Sequence, residues 1–224
     1  MTPPPRHVLA GLAIALAAAV VFGLIAADIA NASALRALDV QVADTFARHT
    51  LRGMTRTMAS ISDLHVTAII LVLVAVLALA IARRREWHWL ACLVVAVPGG
   101  MALNWLIKQI IARPRPRFPD VATLTSYSFP SGHTAGAALF YGFLAAYLIA
   151  HIRTHAMRVI VGLVALFMVA LVGFSRIYLR VHYVSDVVGA LFESIAWLAL
   201  CLTAMACAGD RTERRPGNAI RDRA

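Results

Sequence analysis

The chain has 224 residues, 61% of them apolar and 14% charged, with a mean hydropathy of +0.77. Those values exclude an ordinary soluble domain and describe a chain that lives in a membrane. The net charge of +10 does not mark a nucleic-acid binder, because the cations are dispersed between or beside apolar stretches. Anionic lipid headgroups or an anionic substrate suit such a distribution better.

Apolar runs of about 18–25 residues, each able to cross ~30 Å of hydrocarbon, recur along the chain. No linker or repeat divides them. The expected fold is all-α, a polytopic membrane protein with six transmembrane helices in one bundle over residues 1–208. A basic tail, 209–224, is expected to be disordered.

The first span is Val8 to Ala27, twenty residues without a charge. That exceeds the ~7–15 apolar residues of a signal peptide, so it reads as a retained span. Asp28 to Asp63 is a polar connection. Leu35, Leu38, Val42 and Phe46 recur in it at helical spacing, as do Leu51, Met54, Met58 and Ile61. These amphipathic stretches lie in the interface or pack on the outer ends of the spans. Leu64 to Ala82 is the second span, followed by the charged turn Arg83-Arg84-Arg85-Glu86. Trp87 and Trp89 fit an interfacial aromatic belt. The third span runs from Trp87 to Ile107, and Pro114 and Pro116 end its helix near Ala112. Ser131 to Ala150, Val159 to Phe174 and Val184 to Cys207 complete the set. Cys92, Cys201 and Cys207 fall inside apolar runs and read as small core residues.

Six spans place both termini on one side. That side carries eleven cations; the other carries ten, six of which sit in clusters that read as chemical. The remaining split of eleven to four predicts cytoplasmic termini and clusters facing outward.

The fourth span opens on Phe129-Pro130-Ser131-Gly132-His133-Thr134. Pro130 cannot continue an upstream helix and Ser131 is a good N-cap. The first N–H groups of such a helix suit an anion, Gly132 allows close approach, and His133 stands in the first turn. Two more clusters share this side: Lys108 with Arg115, and Ser175-Arg176 with His182 and Asp186. Lys108, Arg115 and Arg176 repel one another unless they share an anion. Arginine matches phosphate oxygens bidentately and lysine adds a point charge. Lys108 is the one lysine among 21 cations, as if retained for its chemistry. A phosphoryl group in transfer needs such a cradle of cations and backbone N–H groups.

His182 and Asp186, at i and i+4, share a helix face. The carboxylate takes the proton of one ring nitrogen and leaves the other as a nucleophile. His133 has no such partner nearby and suits proton donation to a leaving oxygen. Two histidines and a carboxylate are also a metal-ligand set, but three permanent cations beside them disfavour a metal ion.

Together, Lys108-x6-Arg115-Pro116, Pro130-Ser131-Gly132-His133 and Ser175-Arg176-x5-His182-x3-Asp186 resemble the three-part signature of the type-2 phosphatidic acid phosphatase superfamily. That superfamily also holds bacterial acid phosphatases and vanadium haloperoxidases. No residue or internal spacing departs, and the six-span layout resembles its membrane branch. The resemblance implies that His182 attacks phosphorus to form a phosphohistidine and that Asp186 orients it. It implies that His133 protonates the leaving group and then activates water. Lys108, Arg115, Ser131, Gly132 and Arg176 would hold the phosphate oxygens, with no metal or cofactor. The implied substrate is a lipid phosphate of a bacterial inner membrane: undecaprenyl diphosphate, phosphatidylglycerol phosphate or phosphatidic acid. Arginines flanking the cradle tip the balance slightly toward the polyprenyl diphosphate. A lipid phosphotransferase, or a non-catalytic lipid-binding or transport protein on the same scaffold, is the alternative.

Five further residues lie near these clusters. Arg113, Arg117 and Arg180 touch a second phosphate or meet lipid headgroups. Glu193, seven residues after Asp186, backs up the site or makes a hydrogen bond inside the bundle. Asn104, one turn before Lys108, orients that lysine or bonds a neighbouring helix.

Overall fold

The computed structural model of the chain describes residues 5–31, 34–49, 51–116 and 126–213. Among them the regular structure is helical: α1 (Arg6–Ala30), α2 (Ala34–Arg48), α3 (Arg52–Asp63), α4 (Thr67–Arg83), α5 (Trp87–Ile111), α6 (Gly132–His151), α7 (His155–Tyr178) and α8 (Val184–Glu213). Helices α1, α5, α6, α7 and α8 are each long and apolar enough to cross a membrane. The chain is a multi-pass membrane protein. Helix α8 runs on to Glu213, into the segment read as tail. Arg117 and residues 214–224 lie outside the described residues.

The sixth crossing is made of two pieces. Helix α4 has 17 residues, about 26 Å at 1.5 Å per residue, short of the hydrocarbon core. Helices α3 and α4 meet the length and apolarity of a span as a pair bent by 49°. The span expected from Leu64 therefore begins at Thr67. His65 sits in the break, its Nδ1 2.7 Å from the Ile61 carbonyl and its Nε2 2.9 Å from the Tyr141 hydroxyl of α6. The two amphipathic stretches form α2 and α3 and pack on the outer ends of the spans. Helix α2 lies against α1, α7 and α8, and α3 against α7.

Lipid tails are as apolar as leucine, so helices in a bilayer gain little by burying leucine on leucine. Close backbone approach and dispersion hold them instead. Helix α6, the most buried span, accordingly carries Ala135, Gly136, Ala137 and Ala138 in its first two turns. Its deeper half packs Leu139, Phe143 and Tyr147 against Ile70, Val74 and Ile81 of α4 and Leu93 and Val97 of α5. Leu16, Leu24, Leu163 and Phe167 are exposed on the outside of the bundle, where lipid is the solvent. Helix α5 ends as its prolines predict. Ala112 turns left-handed (φ 50°) and its N–H bonds the Lys108 carbonyl.

One contact ties this packing to the segment before α6. A Cβ on Gly189 of α8 would lie 2.4 Å from the Phe129 ring. That ring is fully buried and stacks on Phe22 of α1 at 5.7 Å, so it cannot step aside. Gly189→Ala is expected to cost about 1–3 kcal/mol by overpacking, seen as a lower unfolding temperature in detergent. Adding Phe129→Leu should recover part of the loss. An unchanged transition in Gly189→Ala would contradict this packing.

Candidate active site

The three sequence clusters meet at one end of the bundle. Lys108 closes α5, Gly132 and His133 open α6, Arg176 ends α7, and His182 precedes α8. Backbone bonds lock them together. The Ser131 N–H donates to the Asp186 carbonyl at 3.1 Å, joining the start of α6 to α8. The Ser128 N–H donates to the Arg113 carbonyl at 2.8 Å, joining the segment before α6 to the segment after α5. A cavity of about 390 Å³ lies between them, lined by Lys108, Arg115, Gly132, His133, Arg176 and His182, with Thr67, Met101, Asn104, Trp105 and Ser126.

The cations of this cavity are aimed by uncharged groups. Lys108 Nζ donates to the Tyr127 carbonyl at 3.2 Å. Arg115 donates to the Ser126 carbonyl at 2.7 Å and hydroxyl at 2.9 Å, and to the Val181 carbonyl at 2.6 Å. Arg176 Nη1 donates to the Ser62 hydroxyl of α3. Arg176 Nε is buried with no hydrogen-bond acceptor among the described residues. Buried donors rarely stay unpaired. The first helical bond of α6 runs from the Ala135 N–H to the Ser131 carbonyl, so the amides of Gly132, His133 and Thr134 lie ahead of it. Ser131 departs from expectation as a cap. It is fully buried at the N-cap position, yet its hydroxyl makes no cap bond and instead accepts from Thr134 at 3.0 Å.

The geometry fixes the tautomer of His182. Arg115 Nη1 lies 3.1 Å from His182 Nε2, and a guanidinium can only donate. Nε2 is therefore the acceptor and the ring proton sits on Nδ1, 3.3 Å from Asp186 Oδ2. Burial pushes the imidazole down to about 3, with Asp186 pulling the other way. His182 is thus neutral through the physiological range, with the lone pair of Nε2 on the cavity side. His133 lines the same cavity.

The outlying residues are placed differently from one another. Arg113, read as a contact for a second phosphate or a headgroup, is committed elsewhere. It pairs with Asp186 at 2.6 Å and Asp39 at 2.8 Å, and lies 4.3 Å from the centre of the Tyr183 ring. Both of its terminal nitrogens are engaged by buried carboxylates. Arg180 is buried in the turn between α7 and α8, in a left-handed conformation (φ 57°), and does not line the cavity. Asn104 donates to Glu193 at 2.8 Å, so it bonds a neighbouring helix, while its side chain also lines the cavity. Sequence reasoning missed Asp39 and Ser62. Asp39 carried a signal: it stands four residues after Leu35 and three before Val42, a charge on the apolar stripe of α2.

The fold and this site define a polytopic all-helical membrane protein whose buried histidine–carboxylate pair faces a cationic cavity. A model of the PAP2 superfamily matches residues 87–209, and the chain belongs to that superfamily. The chain is 38% identical over 111 residues to phosphatidylglycerophosphatase B of Bacillus subtilis (strain 168), covering 47% of this chain and 52% of that protein. It is 36% identical over 134 residues to dolichyldiphosphatase 1 of Mus musculus, covering 52% and 54%. The chain thus spans about half the length of the curated relatives it matches. A crystal structure of a transmembrane PAP2-type phosphatidylglycerolphosphate phosphatase from Bacillus subtilis superposes with a TM-score of 0.75 at 27% identity, over 91% of this chain and 98% of that one. The structure of Aquifex aeolicus LpxE shares the fold, with a TM-score of 0.57 at 19% identity over 74% of this chain.

The lowered His182 value sets a pH expectation. Protonation removes the Nε2 lone pair only near pH 3, not near the ordinary 6.5. In ¹⁵N-histidine-labelled protein in detergent, the His182 ring should stay neutral from pH 8 to 5, with its proton on Nδ1. A midpoint near 6.5 would contradict the burial argument.

Proposed function

We propose that the chain is a lipid phosphatase that works through a phosphohistidine on His182. The observation that carries this reading is the Arg115 donor on Nε2 with Asp186 on Nδ1. It leaves one nucleophilic lone pair at the wall of a cavity lined by Lys108, Arg115 and Arg176.

The phosphate of a membrane lipid enters the cavity and its non-bridging oxygens take the donors of Lys108, Arg115 and Arg176 and the first amides of α6. Arg115 gives up its contact with Nε2 to an oxygen, and Nε2 attacks phosphorus. The bound phosphate's negative charge favours a second proton on His133, taken up from solvent with the substrate, and the bond from phosphorus to the lipid oxygen breaks as His133 hands that oxygen this proton and becomes neutral. Asp186 stabilises the positive charge that develops on the His182 ring. His133 then takes a proton from a water molecule, whose oxygen attacks phosphorus. The P–N bond breaks, inorganic phosphate leaves, and His182 returns to its neutral form. The balance needs no metal ion, and we assign none. Ser131 supports the cradle from behind Gly132.

For the substrate we favour a lipid phosphomonoester of the phosphatidylglycerol phosphate type over a polyprenyl diphosphate. The arginines flanking the cradle were the reason to expect a second phosphate, and Arg113 is held by two carboxylates. The names of the relatives above support a lipid phosphate in either case. The arginine split supports a reading with both termini in the cytoplasm and the site on the outer face of a bacterial plasma membrane.

Purified protein in detergent with EDTA should release inorganic phosphate from phosphatidylglycerol phosphate faster than from undecaprenyl diphosphate or phosphatidic acid. His182→Ala should lower release by roughly 10³-fold or more. A phosphoenzyme labile to acid and stable to alkali should be trapped in wild type only. Loss of activity in EDTA, release that survives in His182→Ala, or phosphate appearing on a second lipid would each overturn this mechanism.

A further inference from the structure

The two oxygens of Asp186 have separate tasks. Oδ2 faces His182 Nδ1 at 3.3 Å and accepts the Tyr183 N–H at 3.0 Å, closing the first turn of α8 on itself. Oδ1 receives Arg113 Nη1 at 2.6 Å. Arg113 is held in turn from the far side. Its Nη2 donates to Asp39 Oδ2 at 2.8 Å, and its Nη1 also reaches the Ser185 hydroxyl at 2.7 Å. Asp39 Oδ1 accepts the Ser185 backbone N–H at 3.0 Å, and the Ser185 hydroxyl donates to Oδ2. Asp39 thus serves α8 as an N-cap supplied from α2, and a carboxylate at that helix end also suits the macrodipole.

Burial makes the arrangement consequential. The side chains of Asp39 and Asp186 are 1% and 0% exposed, so water cannot replace a lost partner. A guanidinium facing one carboxylate tends to grip both its oxygens in a fork. Here the fork is split, one nitrogen to each acid. Without Asp39, Arg113 is drawn to close on Asp186 and to take Oδ2 from the histidine.

We propose that Asp39 is a positioning residue for the reaction at His182. By holding one arm of Arg113 and the first turn of α8, it keeps Asp186 Oδ2 on Nδ1–H and so keeps Nε2 bare. The proposal rests on His182 being the nucleophile, and it gives a task to a helix outside the matched residues 87–209.

The test is Asp39→Asn in the full chain in detergent, with dioctanoyl phosphatidic acid as substrate. An asparagine still accepts the Ser185 N–H, but its amide NH₂ meets the donors of Arg113. The expected result is a kcat lower by about 10–100-fold, as for other partners that orient a reacting group, with KM within about twofold. The ¹⁵N spectrum of His182 should change from the Nδ1–H form to a mixture of tautomers. Asp39→Asn added to Arg113→Gln should cost no more than Arg113→Gln alone, since both act on one carboxylate. A kcat per folded molecule equal to wild type, with the Nδ1–H form intact, would overturn the proposal and leave Asp39 a structural acid. If Asp39→Asn does not fold, Ser185→Ala decides by the same two readouts. It removes one donor to Asp39 and one acceptor from Arg113 without changing charge. The tautomer needs no turnover, so a wild type that releases no phosphate but shows Asp39-dependent Nδ1–H defeats the phosphatase reading and not this one.

Discussion

The constraint that the site depends on is the repulsion among Lys108, Arg115 and Arg176 around one cavity. Like charges gathered around a part-buried cavity raise one another's cost, because the low local dielectric screens them poorly. A protein can relieve that with carboxylates or leave it for a ligand. Here the three are aimed by carbonyls and hydroxyls: Tyr127, Ser126, Val181 and Ser62. Those groups fix direction while cancelling little charge. Arg113, which stands outside the cavity, is given instead to two carboxylates. The chain sorts its arginines by partner. Those with neutral acceptors keep their field for an anion, and the one with acids serves geometry.

That sorting also explains the state of His182. A ring among cations has no use for a second charge, and burial enforces neutrality. Asp186 cannot overcome that penalty, but it decides which nitrogen carries the proton. Arg115 reinforces the choice from the other side, because it can only donate. Two charged groups of opposite sign therefore agree on one tautomer. The attacking nitrogen is prepared by orientation rather than by a raised basicity.

Much of this was legible in the chain. The spans follow from runs of apolar residues, and Lys108-x6-Arg115, Ser131-Gly132-His133 and Arg176-x5-His182-x3-Asp186 are local spacings that survive without coordinates. What could not be read depends on where α2 and α3 lie. Arg113 and Arg115 are two residues apart in one non-helical segment. Which meets the cavity and which meets an acid is set by Asp39, 74 residues before Arg113. Ser62 reaches Arg176 across 114 residues. The bent pair was misread for a related reason. The sequence places an apolar run at Leu64, but the bond between His65 and Tyr141 of α6, which fills the break, is tertiary. Asp39 was visible as an anomaly on its helix, with no local cue to its partner.

The division of labour follows from the solvent. Inside hydrocarbon, helices find one another through shape and small residues, forces that place a backbone but do not aim a guanidinium. Polar contacts do aim one, and a network of them is cheapest where the chain leaves the bilayer. Helices α2 and α3 reach the end of the bundle that holds the site. They bring Asp39 to Arg113 and Ser62 to Arg176, so each outer helix fixes one cation of the cluster. The long spans deliver the reacting groups to one end of the bundle, and α2 and α3 set the angles at which two of the arginines stand. A site of this kind is sensitive to substitutions well removed from the three motifs, in a segment that composition alone would pass over as a connection.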